Sequence, residues 1–510
     1  MELEFDRTIM THYETVAKLT VCQEETLESI VPDACPDILR IVDVCGQATL
    51  SSKQAKDKMA VVSGMVRACI LYQPENSSAL RRMEVSIPFT CQIDAPGLTE
   101  RGVVQASTRL RRAEARTLNP RKVLLRVDLA VDITACQPVQ RPVCCGVVNA
   151  QEHAVCQRQL NTETYQLISV QEKPFAFSED IKLPAVQGEG AEVLAISAQP
   201  ACSESKLIGN KLVFNGNIEV NMLLQQTDGA LSSSREMLPF SQILEVPDPE
   251  EGGDAQVLVE LTDLQYDAQL SDERSIGITM EFLAQVQLRS SHPATILEDM
   301  YSTTWQTEVD TQLQSLCRLG DQGIRPLVMR ELLETGEMVH SVVDSRVVLG
   351  ELTQNRQGEQ IALSVECWLT VLYLDEEKQL QCARRMVPAS MRVDCPTGYQ
   401  CSATGRCMGD VFATPSVGGV EVHFSLEFQY LTTCSYPVLS VKGARLGEMR
   451  TAEHSAAAAP SVVLRLAAPG EGIWELAKAY GTTKEQILQA NELTEEELPA
   501  ERLLLIPRIR

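Results

Sequence analysis

Over most of the chain, apolar and polar residues alternate one by one. The runs Val127-Asp128-Leu129-Ala130-Val131-Asp132-Ile133, Ile278-Thr279-Met280-Glu281-Phe282-Leu283-Ala284-Gln285-Val286 and Val420-Glu421-Val422-His423-Phe424-Ser425-Leu426-Glu427-Phe428 are the clearest. A period of two puts one set of side chains on a core face and the other in water, which predicts antiparallel sheet with one wet side. Pro74-Glu75-Asn76 and Asp228-Gly229 fall between paired runs, as hairpin turns do.

The strands recur in a fixed order. Val66-Arg67-Ala68-Cys69-Ile70-Leu71-Tyr72 is followed by a polar turn, Arg82-Met83 and Pro88-Phe89. Ile218-Glu219-Val220-Asn221-Met222-Leu223-Leu224 leads in the same way to Glu236-Met237 and Pro239-Phe240. Cys367-Trp368-Leu369-Thr370-Val371-Leu372-Tyr373 leads to Arg385-Met386 and Pro388. From strand end to proline the steps are 16, 15 and 15 residues, which marks a threefold internal repeat. Each repeat reads as a β-sandwich or open barrel of about 120 to 140 residues. The expected boundaries are an N-terminal segment 1–20, repeats over 21–143, 161–292 and 300–445, and linkers over 144–160 and 446–460.

The tail, 461–510, changes period. Val462-Val463-Leu464-Arg465-Leu466 is strand-like, and Ala468-Pro469-Gly470 is a turn. Ile473, Leu476, Ala477 and Tyr480 form the i, i+3, i+4, i+7 stripe of an amphipathic helix that Gly481 stops. Thr482 or Thr483 caps a second helix, with Ile487, Leu488 and Ala490 on its apolar face, and Leu503-Leu504-Leu505-Ile506-Pro507 closes as a strand. The class is therefore mainly β, three tandem antiparallel β units followed by a small βααβ domain.

That tail resembles the LysM module over Val463 to Pro507, carried by Gly470, Ile473-Trp474, Leu476-Ala477, Tyr480-Gly481-Thr482, Ile487, Asn491, Leu493 and Leu505-Ile506-Pro507. The triple β repeat with this tail is similar in layout to the SPOCS domain family of spore-coat morphogenetic proteins of endospore-forming Firmicutes. The resemblance implies a glycan or partner groove formed by Pro469, Gly470, Glu471, Gly472 and Ile473 on one side and Asn491, Glu492, Leu493, Leu498 and Pro499 on the other. It implies a domain core of Trp474, Leu476, Ala477, Tyr480, Ile487, Leu505 and Ile506, with Trp474 and Tyr480 packing rather than stacking on sugar. The chain departs from the family's Gly-Asp-Thr at Gly470-Glu471-Gly472 and from its Pro-Gly-Gln at Pro499-Ala500-Glu501, and adds Glu495-Glu496-Glu497. Each lost hydrogen bond to a sugar removes about 0.5–1.5 kcal/mol. The implied reading is a non-enzymatic coat scaffold whose LysM domain, on a flexible linker, docks the coat-basement ATPase at the forespore surface in the mother cell. Its rival is a binder of peptidoglycan or another N-acetylglucosamine glycan.

Length, charge and side-chain chemistry narrow the alternatives. At about 150 residues per domain, 510 residues point to three or four units. Lys plus Arg number 45 against 69 Asp plus Glu, a net charge of −24 that repels nucleic acid and anionic lipid. Met1-Glu2-Leu3-Glu4-Phe5-Asp6-Arg7 is acidic where a secretory signal is basic, and no run reaches the ~18 apolar residues of a spanning helix, so a cytoplasmic protein with no signal peptide is expected. The 17 cysteines are scattered, which fits reduced thiols; Cys69, Cys136 and Cys367 lie in strands as small apolar residues, and Cys144-Cys145 lies between units. Cys395, Cys401 and Cys407 are six apart, too widely spaced for the usual zinc pairs, so no metal is expected. No phosphate loop, H-E-x-x-H or G-x-S-x-G occurs, and His12, His153, His292, His340, His423 and His454 are far apart, His423 reading as a surface residue. Neither catalysis nor a cofactor is expected.

Overall fold

The computed structural model describes residues 3–77, 79–183, 191–247, 253–267, 275–450, 462–466, 468, 471–493 and 503–507. Each repeat is six strands. The first holds β1 (Phe5–Ile30), β2 (Ile38–Lys56), β3 (Met59–Pro74), β4 (Arg81–Asp94), β5 (Val103–Asn119) and β6 (Lys122–Val147). The second holds β7 (Val155–Lys182), β8 (Glu192–Ile208), β9 (Lys211–Gln225), β10 (Leu231–Glu245), β11 (Asp254–Tyr266) and β12 (Ser275–Ser302). The third holds β13 (Trp305–Glu334), β14 (Val339–Gln357), β15 (Gln360–Asp375), β16 (Leu380–Asp394), β17 (Gln400–Ser416) and β18 (Gly419–Met449).

In every repeat the second to fourth strands form one three-stranded sheet and the first, sixth and fifth lie together in the other, those of the first two repeats joined at Tyr13↔Leu167 into one six-stranded sheet. Alternation does the packing: β3 and β15 bury every second residue along most of their length. Ile70, Phe89 and Leu129 lie in the first core, Phe214, Val220 and Phe282 in the second, and Leu363, Phe424 and Phe428 in the third. The repeated prolines have a physical reason. Pro88, Pro239 and Pro388 sit on β4, β10 and β16, the edge strands of their sheets, where a missing N–H leaves no ladder bond unmade.

The structure divides the chain differently from the sequence-based boundaries. Residues 5–20 belong to β1 rather than to a separate segment, 144–147 and 155–160 continue β6 and β7, 293–299 lie inside β12, and 446–449 end β18. The first and last strands of each repeat are 26 to 31 residues long and outreach their own sandwich as a two-stranded ribbon. The three ribbons pack together as a stem through Val143, Ile296, Leu316 and Val438, with Met10 and Leu160 against them, and further out through Val147, Leu297, Met300 and Val441.

The sandwiches also close on one another. Leu71, Leu223 and Leu372 hold the same register position in their repeats, opposite Asp43, Ala195 and Asp344, and they meet in a single cluster. Arg67 pairs with Asp263 between the first and second repeats, and Arg235 with Asp410 (3.2 Å) between the second and third. Between the third and first, Arg346 and Arg384 both pair with Asp43, whose side chain is fully buried. Burial alone would raise the Asp43 carboxyl, but the two guanidinium groups outweigh it and hold it at about 2. At the first junction burial pushes Glu260, which accepts the Thr108 N–H (3.2 Å), up to about 7.

Two predictions follow from these carboxylates. Asp43→Ala leaves Arg384 without its counter-charge and Arg346 with only the longer contact to Asp344 (3.9 Å), and is expected to cost about 3–5 kcal/mol, read from chemical unfolding at neutral pH. Because the folded value of Asp43 lies below the unfolded one, its contribution is present above about pH 4 and lost as pH falls through about 2. Glu260 has the opposite sign: its folded value is raised, so stability drops as pH climbs from about 4.5 to about 7. Glu260→Gln keeps an acceptor for Thr108 and is expected to stabilise the chain by roughly 1–3 kcal/mol at pH 8 and hardly at pH 5, measured by unfolding at both values. Equal effects at the two pH values would contradict this.

Candidate ligand groove and its seat on the stem

The small domain consists of β19 (Val462–Leu466), α1 (Ile473–Tyr480), α2 (Lys484–Ala490) and β20 (Leu503–Pro507), with β19 and β20 paired antiparallel from Val462↔Pro507 to Leu466↔Leu503. Gly472 is the α1 N-cap and supplies no side-chain bond, whereas Thr483 caps α2 by accepting the Gln486 N–H. Gly481 ends α1 at φ +65°, a conformation that costs glycine little. Leu476, Ala477, Ile487 and Ile506 are fully buried, and Leu505 is exposed on the other face of β20.

Of the expected groove residues, Pro469, Gly470, Leu498 and Pro499 lie outside the described residues, as do Glu495-Glu496-Glu497 and 451–460 of the linker. Glu471 is held down: its carboxylate takes Arg465 Nη2 at 2.6 Å and the Ala468 N–H at 3.2 Å. Ile473 is buried in the domain core. Asn491 points inward, where its amide donates to Ile487 O and Leu505 O and accepts from Leu505 N, each at 2.7 Å, so it ties α2 to β20. Leu493 packs partly against the core, and Glu492 is exposed with φ +53°. Tyr480 lies under Arg465, whose guanidinium is 5.7 Å from the ring centre.

Trp474, an expected core residue, packs partly against the domain core and also reaches beyond it to the stem. It packs edge-on against Tyr301 of β12, centroids 5.0 Å apart, and its Nε1 donates to Asp299 Oδ2 at 2.8 Å. Lys478, one turn on, donates to both Asp299 oxygens at 2.7 and 2.8 Å. Arg158 of β7 lies over the indole at 5.5 Å and pairs with Glu475 at 3.0 Å, and Tyr301 Oη donates to Thr482 O at 2.8 Å. Burial would raise Asp299, but the hydrogen bonds from Lys478 and Trp474 outweigh it and hold its carboxyl below the usual range. One face of α1 is thus seated on the ribbon of the second repeat, where the sequence alone predicts a freely tethered domain. A β-bulge between Leu297 and Asp299 re-aims the chain there. Asp299 falls between the expected units, and no local pattern singles it out.

The remaining candidates carry no assembled chemistry. Among the described residues no group of His, Cys, Asp and Glu is placed to hold a metal, and burial pushes Cys401 and Cys407 up to about 11. His423 bonds to Glu421, which also pairs with the exposed Arg330. No helix among the described residues is long and apolar enough to cross a membrane.

Asp299→Ala removes the acceptor for two α1 side chains. We expect a loss of about 1–3 kcal/mol at the seat, read as faster amide exchange over 473–482 with α2 unchanged and as a red shift of Trp474 emission. Unchanged exchange would mean that the aromatic contact alone holds the domain.

Comparison with known families gives two matches. The family model for the SipL, SPOCS domain matches residues 37–117 and 191–269, which cover β2 to β5 and β8 to β11, and the LysM domain model matches residues 468–507. Neither the search of curated proteins nor that of solved structures gave a match. Both matched families are non-catalytic, and strands β14 to β17 repeat the layout of the two SPOCS segments. The chain accordingly carries two SPOCS-domain segments and a C-terminal LysM domain, a combination that points to a sporulation-related protein ending in a peptidoglycan-binding-type module.

Proposed function

We propose that the chain is a non-enzymatic scaffold of spore coat or envelope assembly, working from the mother-cell cytoplasm at the forespore surface, and that its LysM domain docks a protein, by resemblance the coat-basement ATPase. The observation that carries this reading is the seat of α1 on the stem: Asp299, Tyr301 and Arg158 hold one face of the domain against the ribbon of the second repeat. Such a mounting suits a scaffold, because a partner that binds a pre-oriented domain orders less chain on binding. The groove chemistry adds support. Glu471 is engaged by Arg465 and Asn491 by the backbone, so neither offers a free polar group to a sugar.

The second reading is glycan binding, favoured by the family to which the LysM domain belongs. Co-purification of the full chain and of a version lacking 461–510 from a sporulating host separates the two. Retention of the coat-basement ATPase only with the tail is the expected result. Saturable retention of the full chain on purified peptidoglycan, lost on the same deletion and with no ATPase recovered, would replace the scaffold reading with the glycan one.

A further inference from the structure

A cavity of about 300 Å³ lies where the three repeats meet, walled by β2 and β5 of the first, β8 to β10 of the second and β14 to β17 of the third. Its wall carries the guanidinium groups of Arg111, Arg346 and Arg384 and the thiol of Cys45. Arg111 Nε is buried there without a hydrogen-bond partner. Cys45 stands directly opposite Cys69 in the β2–β3 register, so the two side chains share one face of the sheet. The Cys45 thiol is turned toward its partner, donating to Cys69 O at 3.8 Å, and Cys69 Sγ donates to Leu194 O of the second repeat at 3.2 Å. The same register position holds Ser197 opposite Asn221 in the second repeat and Arg346 opposite Thr370 in the third. A facing thiol pair is therefore peculiar to the first repeat, and the residue that replaces Cys45 in the third repeat is the arginine beside it.

We infer that Cys45 and Cys69 form an oxidation site that takes a small hydroperoxide through the central cavity. The sulfur of Cys45, as thiolate, attacks the peroxide oxygen; the O–O bond breaks, hydroxide or alkoxide leaves and takes up a proton, and Cys45 becomes the sulfenic acid. The Cys69 thiol then attacks that sulfur. An S–S bond forms, the S–O bond breaks, and water departs with the Cys69 proton. The balance is two thiols oxidised to one disulfide and one hydroperoxide reduced to water plus water or alcohol.

Three features make this pair the reactive one. The neighbouring Cys69 side chain and the Arg346 guanidinium lower the Cys45 thiol against a burial penalty, while the partner Cys69 is raised. Burial moves several other thiols the opposite way, with Cys91 pushed up to about 11 and Cys367 and Cys382 to about 12. Thiolate fraction and access govern oxidation rate, and Cys45 is the cysteine with a lowered thiol that lines the cavity. The product clamps β2 to β3 beside the Asp43 junction, at the point where the first and third repeats meet.

The test uses the full chain, reduced, at neutral pH, with a small excess of hydrogen peroxide followed by alkylation and trypsin. Cleavage after Arg40, Lys53, Arg67 and Arg81 places Cys45 alone in peptide 41–53 and Cys69 alone in peptide 68–81. The expected result is a disulfide between these two peptides, formed at least about tenfold faster than oxidation at Cys91 or Cys367. In Cys69→Ser, dimedone should label Cys45, and in Cys45→Ser it should leave Cys69 unlabelled. Recovery of both peptides alkylated while other cysteines oxidise would overturn the inference, and so would Cys45 found joined to a different cysteine. Because the mapping is done on the unaltered chain, a variant that fails to fold leaves the test intact.

Discussion

The length of the first and last strand of each repeat is the constraint on which the rest of the structure depends. Strands of 26 to 31 residues are paired with middle strands of only 13 to 19, so each repeat carries a ribbon that its own sandwich cannot cover. An isolated two-stranded ribbon is marginal in water at best. Burying the apolar residues of three ribbons against one another, as Val143, Ile296, Leu316 and Val438 do, is what makes each of them stable. Once the ribbons share a stem, their sandwiches are forced side by side, and Leu71, Leu223 and Leu372 are brought to a common centre.

Side-by-side repeats of similar sequence face a problem of specificity, since any repeat could take any neighbour. The junctions answer it with different chemistry at related places. One is Arg67 with Asp263, the next Arg235 with Asp410, and the third the inward Asp43 with two arginines. A wrong pairing would put Asp43 against the second repeat, where Ala195 and Ser197 stand in place of Asp344 and Arg346, and leave a carboxylate without a partner. That penalty is several kcal/mol, larger than the gain from any surface ion pair. The inward pair thus contributes less to net stability than to the order in which the ring closes.

The sandwiches were legible in the sequence because alternation and edge prolines are local signals. Pro88, Pro239 and Pro388 could be read without knowing the sheet order, and the sheet order then explains them. The ribbons were not legible, for a reason the same residue type supplies. Pro138, Pro293 and Pro437 each follow the last pair between fifth and sixth strand, Val103↔Cys136, Asp254↔Arg289 and Gln400↔Thr433. Past that point the strand is hydrogen-bonded on one side only and tolerates proline, but in sequence Pro138 and Pro142 interrupt the run just ahead of the expected linker 144–160. In the tail the helices, their stops and the buried Leu476 and Ile487 follow from local periodicity, whereas the seat of Trp474 depends on Asp299, 175 residues away. No spacing rule reaches that far.

The seat also changes what the tail can contribute. A domain on a flexible linker adds to binding through effective concentration, which falls as the linker lengthens. A domain whose α1 face is engaged by Asp299, Tyr301 and Arg158 acts by position: the stem fixes the direction in which its remaining surface points. From Arg289, the last β12 residue paired with β11, to Asp299 is ten residues, roughly 33 Å at the usual rise, and the mounting holds the LysM surface at that remove from the sandwiches where a tether would not. In the proposed scaffold role, where spacing between successive components has to repeat, a domain mounted through Asp299 would set a direction and a distance that affinity alone does not.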